Sequence, residues 1–173
     1  MEILELENFL PYRLNRIAEA VSREFSKLYR DRHDLTRPEW RTLATLGQFG
    51  TMTATAIGEH STMHKTKVSR AVSELEKRKW LTRAPDEADR RIEHLTLTKA
   101  GAAVYREMVP LAKAYETRLL ERIAAPDRAA LLQAIGGIER ALASPAPRAL
   151  SRRAGDTGRA AVSSDEPAQA SED

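Results

Sequence analysis

One change of apolar period constrains this chain more than any other feature. From His64 to Trp80 the large apolar residues Val68, Val72 and Leu75 recur at i, i+4 and i+7, the spacing of one helix face. Immediately afterwards the period becomes two. Leu81-Thr82-Arg83-Ala84 is short and rich in strand formers, and Ile92–Thr98 sets Leu95 and Leu97 on one side with Thr96 on the other. Between the two runs lies Pro85-Asp86-Glu87-Ala88-Asp89-Arg90-Arg91, where proline breaks the strand and the polar residues suit a solvent-exposed tip. The stretch therefore predicts a helix followed at once by a two-stranded ribbon.

The polar residues of that helix are sorted by position. Lys65, Thr66, Lys67, Ser69 and Arg70 lie around its first half and away from the apolar stripe, and the acids Glu74 and Glu76 begin only where the basic half ends. A face needing only solvation more often interleaves Glu with Lys from its start. Short donors and long cations are the side chains that reach phosphates and base edges. At the ribbon tip Asp89 is placed to fix an arginine guanidinium by a bidentate pair, and an arginine there has the size and charge to enter a narrow minor groove. From His64 to Arg91 there are nine Lys/Arg against five acids, a surplus of four, larger than the +3 of the whole chain. A local basic patch of this kind is the footprint of a polyanionic partner.

Helix, ribbon and the run Asp89-Arg90-Arg91 followed by Leu95-Thr96-Leu97-Thr98-Lys99-Ala100-Gly101 resemble the winged helix-turn-helix of the MarR (multiple antibiotic resistance regulator) family. The most specific parts are the Asp-x-Arg wing motif, the Leu-x-Leu-Thr-x-x-Gly segment, and Lys67-Val68-Ser69-Arg70 with Leu75-Glu76 downstream. The similarity spans roughly Phe9 to Leu142. Two positions depart from the pattern: Trp80 stands where glycine is usual between recognition helix and wing, and Ser61 where an aliphatic residue is usual.

Composition narrows the alternatives. A chain of 173 residues, 42% hydrophobic and 31% charged, suits one folded domain with many charges on its faces. No long apolar run and no signal peptide stand out, so a cytoplasmic protein with no membrane partner is expected. Cysteine is absent, which removes disulfides, thiolate metal sites and cysteine redox sensing. No glycine-rich phosphate loop, nucleophile elbow or convincing carboxylate pair is present, so no enzyme is expected and no cofactor is called for.

Taken in order, the chain predicts a long helix from Asn8 to about Arg32, with Asn8 as cap, Pro11 in its first turn and an apolar stripe of Leu14, Ile17, Val21, Phe25 and Leu28. That stripe covers more turns than a small winged domain needs, which suits a helix that also buries against a second subunit. Thr36 caps the next helix, with Pro38 and Glu39 in its first turn, Trp40, Leu43 and Leu46 inward, and Gly47 and Gly50 at its end. Thr53–His60 is a short helix with Ile57 inward, and Ser61-Thr62-Met63 is the turn into the recognition helix, capped by Thr62. After the ribbon, Thr98 caps a second long helix from Lys99 to Ile123, striped by Val104, Met108, Leu111, Tyr115, Leu119 and Ile123, with a kink expected at Pro110. Pro126 and Asp127 begin a last helix carrying Leu131, Ile135, Ile138 and Leu142, weakened at Gly136-Gly137. From Ser144 on, Ser, Ala, Pro, Gly and Arg dominate, and a disordered, solvated tail is expected over 144–173.

The expected fold is thus mainly α with a small two- to three-stranded antiparallel β wing: a winged helix-turn-helix on a helical dimerisation platform. It forms a single domain over 8–143, with 8–32 and 99–143 as dimerisation helices and 36–98 as the winged part. The candidate DNA-binding residues are His64, Lys65, Thr66, Lys67, Ser69, Arg70, Asp89, Arg90 and Arg91; by the resemblance Arg91 is the wing arginine and Asp89 holds it, while Arg90 is either a second phosphate contact or solvent-facing. The resemblance further implies a homodimer on a pseudo-palindromic operator in double-stranded DNA, and a repressor released by a small aromatic or phenolic effector. Tyr29, His33, Trp40 and Tyr115 lie near where the long helices should meet the winged part, although aromatics at helical spacing are more often plain core. His60 and His64 are four apart, a metal-binding spacing on one helix, but the expected turn separates them and no third ligand joins them, so no metal site is assigned. The rival from another class is a helical dimerisation or adaptor module whose basic patch meets an acidic protein. It accounts for the long stripes but not for the ribbon with its Asp89–Arg91 tip.

Overall fold

A computed structural model describes residues 2–143; the tail expected over 144–173 lies outside the described residues. In chain order the elements are α1 (Leu10–His33), α2 (Arg37–Phe49), β1 (Met52–Thr53), α3 (Ala54–Ser61), α4 (Lys65–Lys77), β2 (Leu81–Pro85), β3 (Glu93–Leu97), α5 (Lys99–Glu121) and α6 (Ala125–Ala143). They fall into two units, one ending at Ile123 and the other beginning at Ala124.

Local chemistry sets most helix starts. At Thr36 the side chain accepts from the Glu39 amide while the Glu39 carboxylate accepts from the Thr36 amide at 3.0 Å, a full capping box. Thr53 caps α3 through the Ala56 amide (3.2 Å), and Thr98 caps α5 through the Gly101 amide (3.1 Å). The expected cap at Asn8 does not form. Its amide donates to Glu5 Oε2 at 2.7 Å instead, and Phe9 precedes the helix without a side-chain cap. Thr62 is likewise not the cap of the recognition helix; it ends α3, and His64 takes the capping position of α4.

Three helices end alike, each in a non-glycine residue with left-handed backbone: Asp34 (φ 49), Thr62 (φ 53) and Lys79 (φ 61). In each the following amide reaches back five or six residues, Leu35 to the Tyr29 carbonyl, Met63 to Gly58 and Trp80 to Leu75, a Schellman-type closure. This is why the recognition helix stops at Lys77 rather than continuing to Trp80. The left-handed turn is made by Lys79, one residue before the position where the family's glycine was expected. Gly47, expected to help end α2, is interior to it. A Cβ there would overlap the Tyr105 ring of α5, so glycine admits that ring. Gly50 (φ 78) is the true end.

The sheet is antiparallel with order β1-β3-β2, pairing Met52 with Leu95 and Leu81 with Leu97. β1 is a strand that the period-two signal could not reveal, being two residues long. Pro85 remains in β2, opposite Glu93. Leu81 and Leu95 point into a core built with Tyr29, Leu35, Leu43, Leu46, Ile57, Met63, Val68, Val72, Leu75, Val104 and Met108. The core thus draws on the second half of α1 and the first half of α5, and α2, α3, α4 and the sheet close around it. α5 runs unbroken through Pro110 and ends at Glu121. Gly101 faces the Trp80 carbonyl so closely that no Cβ fits. In the second unit, α6 starts at Ala125 with Pro126 in its first turn, where a missing N–H costs nothing. It buries no residue, and Leu131, Leu132, Ile135 and Leu142 are exposed.

Candidate nucleic-acid interface

α4 is two-faced, as its sequence requires. Val68, Ala71, Val72 and Leu75 are buried, while Lys65, Thr66, Lys67, Ser69 and Arg70 are all exposed. The helix begins at His64, whose Nδ1 accepts the Thr66 amide at 3.4 Å. His64 therefore satisfies one free amide of the first turn and remains exposed beside the basic residues. His60 does not accompany it: its ring lies edge-on to Phe49, centroids 4.5 Å apart. Among the described residues no three His, Asp or Glu side chains form a group suited to a metal ion.

The nine cations of the 64–91 segment divide into two sets. Lys77 pairs with Glu74 (2.7 Å), and Arg83 is clamped between Glu76 and Glu93 (3.0 Å each), so its guanidinium is held firmly charged. Arg78 turns inward, donating to the carbonyls of His33 (2.7 Å) and Asp34 (2.9 Å), with its guanidinium 5.2 Å from the Trp80 ring. Lys65, Lys67, Arg70, Lys79 and Arg90 have no carboxylate partner among the described residues. The ninth, Arg91, pairs with Asp89 but stays exposed. A carboxylate partner positions a cation and offsets its charge; the untied cations keep theirs for a partner. The untied set is concentrated in the first half of α4 and at the wing tip.

At the tip, Asp89 holds Arg91 by two parallel bonds, Oδ1 to Nε (3.0 Å) and Oδ2 to Nη2 (3.1 Å), and also accepts the Arg91 amide (3.0 Å). These bonds keep the Asp89 carboxyl below its usual range. The Arg91 side chain is nonetheless 91% exposed, so it is aimed without being hidden. Arg90 beside it is exposed as well.

The four aromatic and histidine candidates for an effector site do not all meet. Tyr29 and Trp40 stack with centroids 5.8 Å apart, and Phe25 lies edge-on to both. Tyr115 tilts against Phe25 (5.2 Å) and donates its hydroxyl to the Val21 carbonyl (3.0 Å). Burial raises the Tyr29 and Tyr115 phenols. His33 stands apart, edge-on to Trp80 and 3.3 Å from Glu107.

Sequence reasoning missed two features of the site. One is the inward turn of Arg78, which no local signal marks because its acceptors lie more than forty residues away. The other is Asp86, whose Oδ1 accepts the Ala88 (2.9 Å) and Asp89 (3.0 Å) amides while its Oδ2 meets His94 Nε2 at 2.8 Å. The Pro85-Asp86 pair opening a polar turn was a readable sign of the first two bonds; the third depends on strand register.

Comparison with known proteins places this arrangement. The MarR family model matches residues 33–92. A solved MarR family transcriptional regulator from Silicibacter pomeroyi DSS-3 is 30% identical, covers 81% of this chain and 99% of its own, and superposes with a TM-score of 0.71. BpsR of Bordetella bronchiseptica, whose DNA binding is regulated by 6-hydroxynicotinic acid, is 22% identical (80% and 98% covered, TM-score 0.68). FabT of Streptococcus pneumoniae, solved in complex with DNA, is 19% identical (80% and 97% covered, TM-score 0.64). At such identities the last two share the fold. No curated protein matches in sequence. With the recognition helix, its three-stranded wing and the aimed tip arginine in place, the chain belongs to the MarR family of winged helix-turn-helix transcription regulators.

Proposed function

We propose that the protein is a homodimeric, sequence-specific DNA-binding repressor of the cytoplasm, released from its operator by a small aromatic or phenolic effector. The observation that carries the DNA reading is the division of cations: those at the end of α4 and in β2 are tied into the protein, while Lys65, Lys67 and Arg70 stand exposed without carboxylate partners among the described residues. These three contact phosphate or guanine, and Thr66, Ser69 and His64 contact bases or phosphates. Arg91, held by Asp89, reads the flanking minor groove, and Arg90 adds a phosphate contact. FabT, of the same fold, was solved with DNA.

Dimerisation rests on exposed apolar side chains: Leu10, Leu14 and Ile17 on α1, and Leu131, Ile135 and Leu142 on α6. Residues 8–32 and 99–143 would supply the platform. Two copies place two recognition helices in successive major grooves of a pseudo-palindrome, with half-sites about 10 bp apart. The effector reading is supported by relatives of this fold: BpsR responds to an aromatic acid. Trp40 and Tyr115, each only partly buried and both packed on Phe25, offer aromatic surface for it, whereas Tyr29 is enclosed in the core and His33 stands apart.

The test is binding to a duplex enriched by the protein from a random-sequence pool, titrated against salt, beside a Lys67→Ala, Arg70→Ala double variant. A steep salt slope, lost in a variant that remains dimeric, is the expected result, because each neutralised phosphate releases counterions. A protein that enriches no duplex at low salt, yet captures an acidic protein through the same residues, would be the helical adaptor instead.

A further inference from the structure

The wing tip is held by a chain of contacts that begins outside the tip. His94 lies in β3, opposite Ala84 of β2 and Thr53 of β1. Its Nε2 meets Asp86 Oδ2 at 2.8 Å. The other oxygen of Asp86 accepts the amides of Ala88 and Asp89, and the Asp86 amide donates to the Ile92 carbonyl (2.9 Å). Asp89, its backbone thus fixed, holds Arg91 by both carboxylate oxygens. Remove the first contact and the Asp86 carboxylate keeps its turn amides but loses its anchor to the sheet.

We propose that Asp86 and His94 are positioning residues of the wing, a clip from sheet to loop that sets the direction in which Arg91 is offered to DNA. The inference rests on the DNA-binding reading above. Neither residue need touch DNA. The clip is specific to the Asp86–His94 pair: the neighbouring charges Arg83 and Glu93 fall on the other side of the pleat and pair with each other, and the partners of His94 across both strands are uncharged. Asp86 is the one carboxylate within ion-pair distance of His94 among the described residues. Its carboxyl is held at about 2, chiefly by the His94 bond and then by the Asp89 and Ala88 amides, in keeping with an acceptor engaged on every side.

A double-variant cycle tests this on the full chain, with the duplex enriched by the wild-type protein. His94→Ala is expected to weaken binding about two- to tenfold, the loss of one side-chain hydrogen bond. In an Arg91→Ala background the same change should have no further effect, because both act through one side chain. His94→Gln, which keeps a donor for Asp86, should restore binding. Thermal melting checks that each variant folds, and amide order parameters over 86–92 in the free protein should fall in His94→Ala and recover in His94→Gln. An unchanged affinity in His94→Ala overturns the proposal, as does an equal loss with and without Arg91. If the wild-type protein enriches no duplex, the regulatory reading fails. The order parameters, measured without DNA, then tell that failure apart from failure of the clip itself.

Discussion

α4 hides Val68, Val72 and Leu75 at 1%, 2% and 0% exposure, whereas the first half of α1 leaves Leu14 at 39% and Ile17 at 57%. Both helices carry apolar residues at helical spacing, and both are charged on the other face. The difference is what lies opposite. α4 packs against α2, α3 and β2, while α1 meets the core only from Phe25 and Tyr29 onward. Period tells which face is apolar; it does not tell which body covers it. An apolar stripe left in water over several turns is a free-energy cost that a second copy of the chain would remove.

The comparison can be broken from either side. Leu75→Ala should destabilise the fold by about 2–5 kcal/mol, because a fully enclosed side chain leaves a cavity; a denaturant midpoint hardly moved would show that α4 is not the centre of the core. Ile17→Asp should weaken dimerisation by about a hundredfold or more, seen by sedimentation equilibrium, with the melting of the winged part little changed. A variant that stays dimeric would place the interface elsewhere.

The helix ends sharpen the same contrast. α1 closes on Asp34 and α4 on Lys79, both left-handed, but Asp tolerates that conformation better than Lys. Lys79→Gly should therefore stabilise the protein by about 0.5–1 kcal/mol, relieved strain partly offset by a freer unfolded chain, and a lowered melting temperature would mean that the Lys79 side chain makes a contact worth more than that strain. The smallest effect concerns the wing. The Asp86 carboxyl, depressed from 3.8 to about 2, contributes stability that is complete above its ordinary value and is lost as pH falls through about 2. A carboxyl carbon titration by NMR should show a midpoint near 2 that moves back toward 3.8 in His94→Ala.

How much of this was legible follows from how local each cause is. The cap at Thr36, the cap at Thr98, the face of α4 and the Asp89–Arg91 pair all depend on residues within a few positions of one another, and each could be read along the chain; Thr53, read as the first residue of the short helix, is its cap instead. The caps assigned to Asn8 and Thr62 failed because capping residues only offer a bond, and the surrounding chain decides whether it is taken. Gly47 read as a stop, but Tyr105, far along the chain, needs that space inside a continuing helix. The basic patch was legible as a sum of charges, yet its sorting into tied and untied cations required Glu76 and Glu93 to be brought to Arg83 by the sheet.

The inward turn of Arg78 has a mechanical consequence. It fastens the far end of the recognition helix to His33 and Asp34, where α1 ends; among the described residues the exposed cations of the basic end make no such side-chain bond. α4 is therefore held along its length by Val68, Val72 and Leu75 and tied by side-chain hydrogen bonds to α1 at its far end. Its 13 residues span roughly 20 Å at the helical rise. A tilt of about 5° at the tied end carries the tip by roughly 1.7 Å over that length, several times the slack of a good hydrogen bond. Were α4 to pivot there, a small displacement of the end of α1 would be magnified where Lys65 and Lys67 stand.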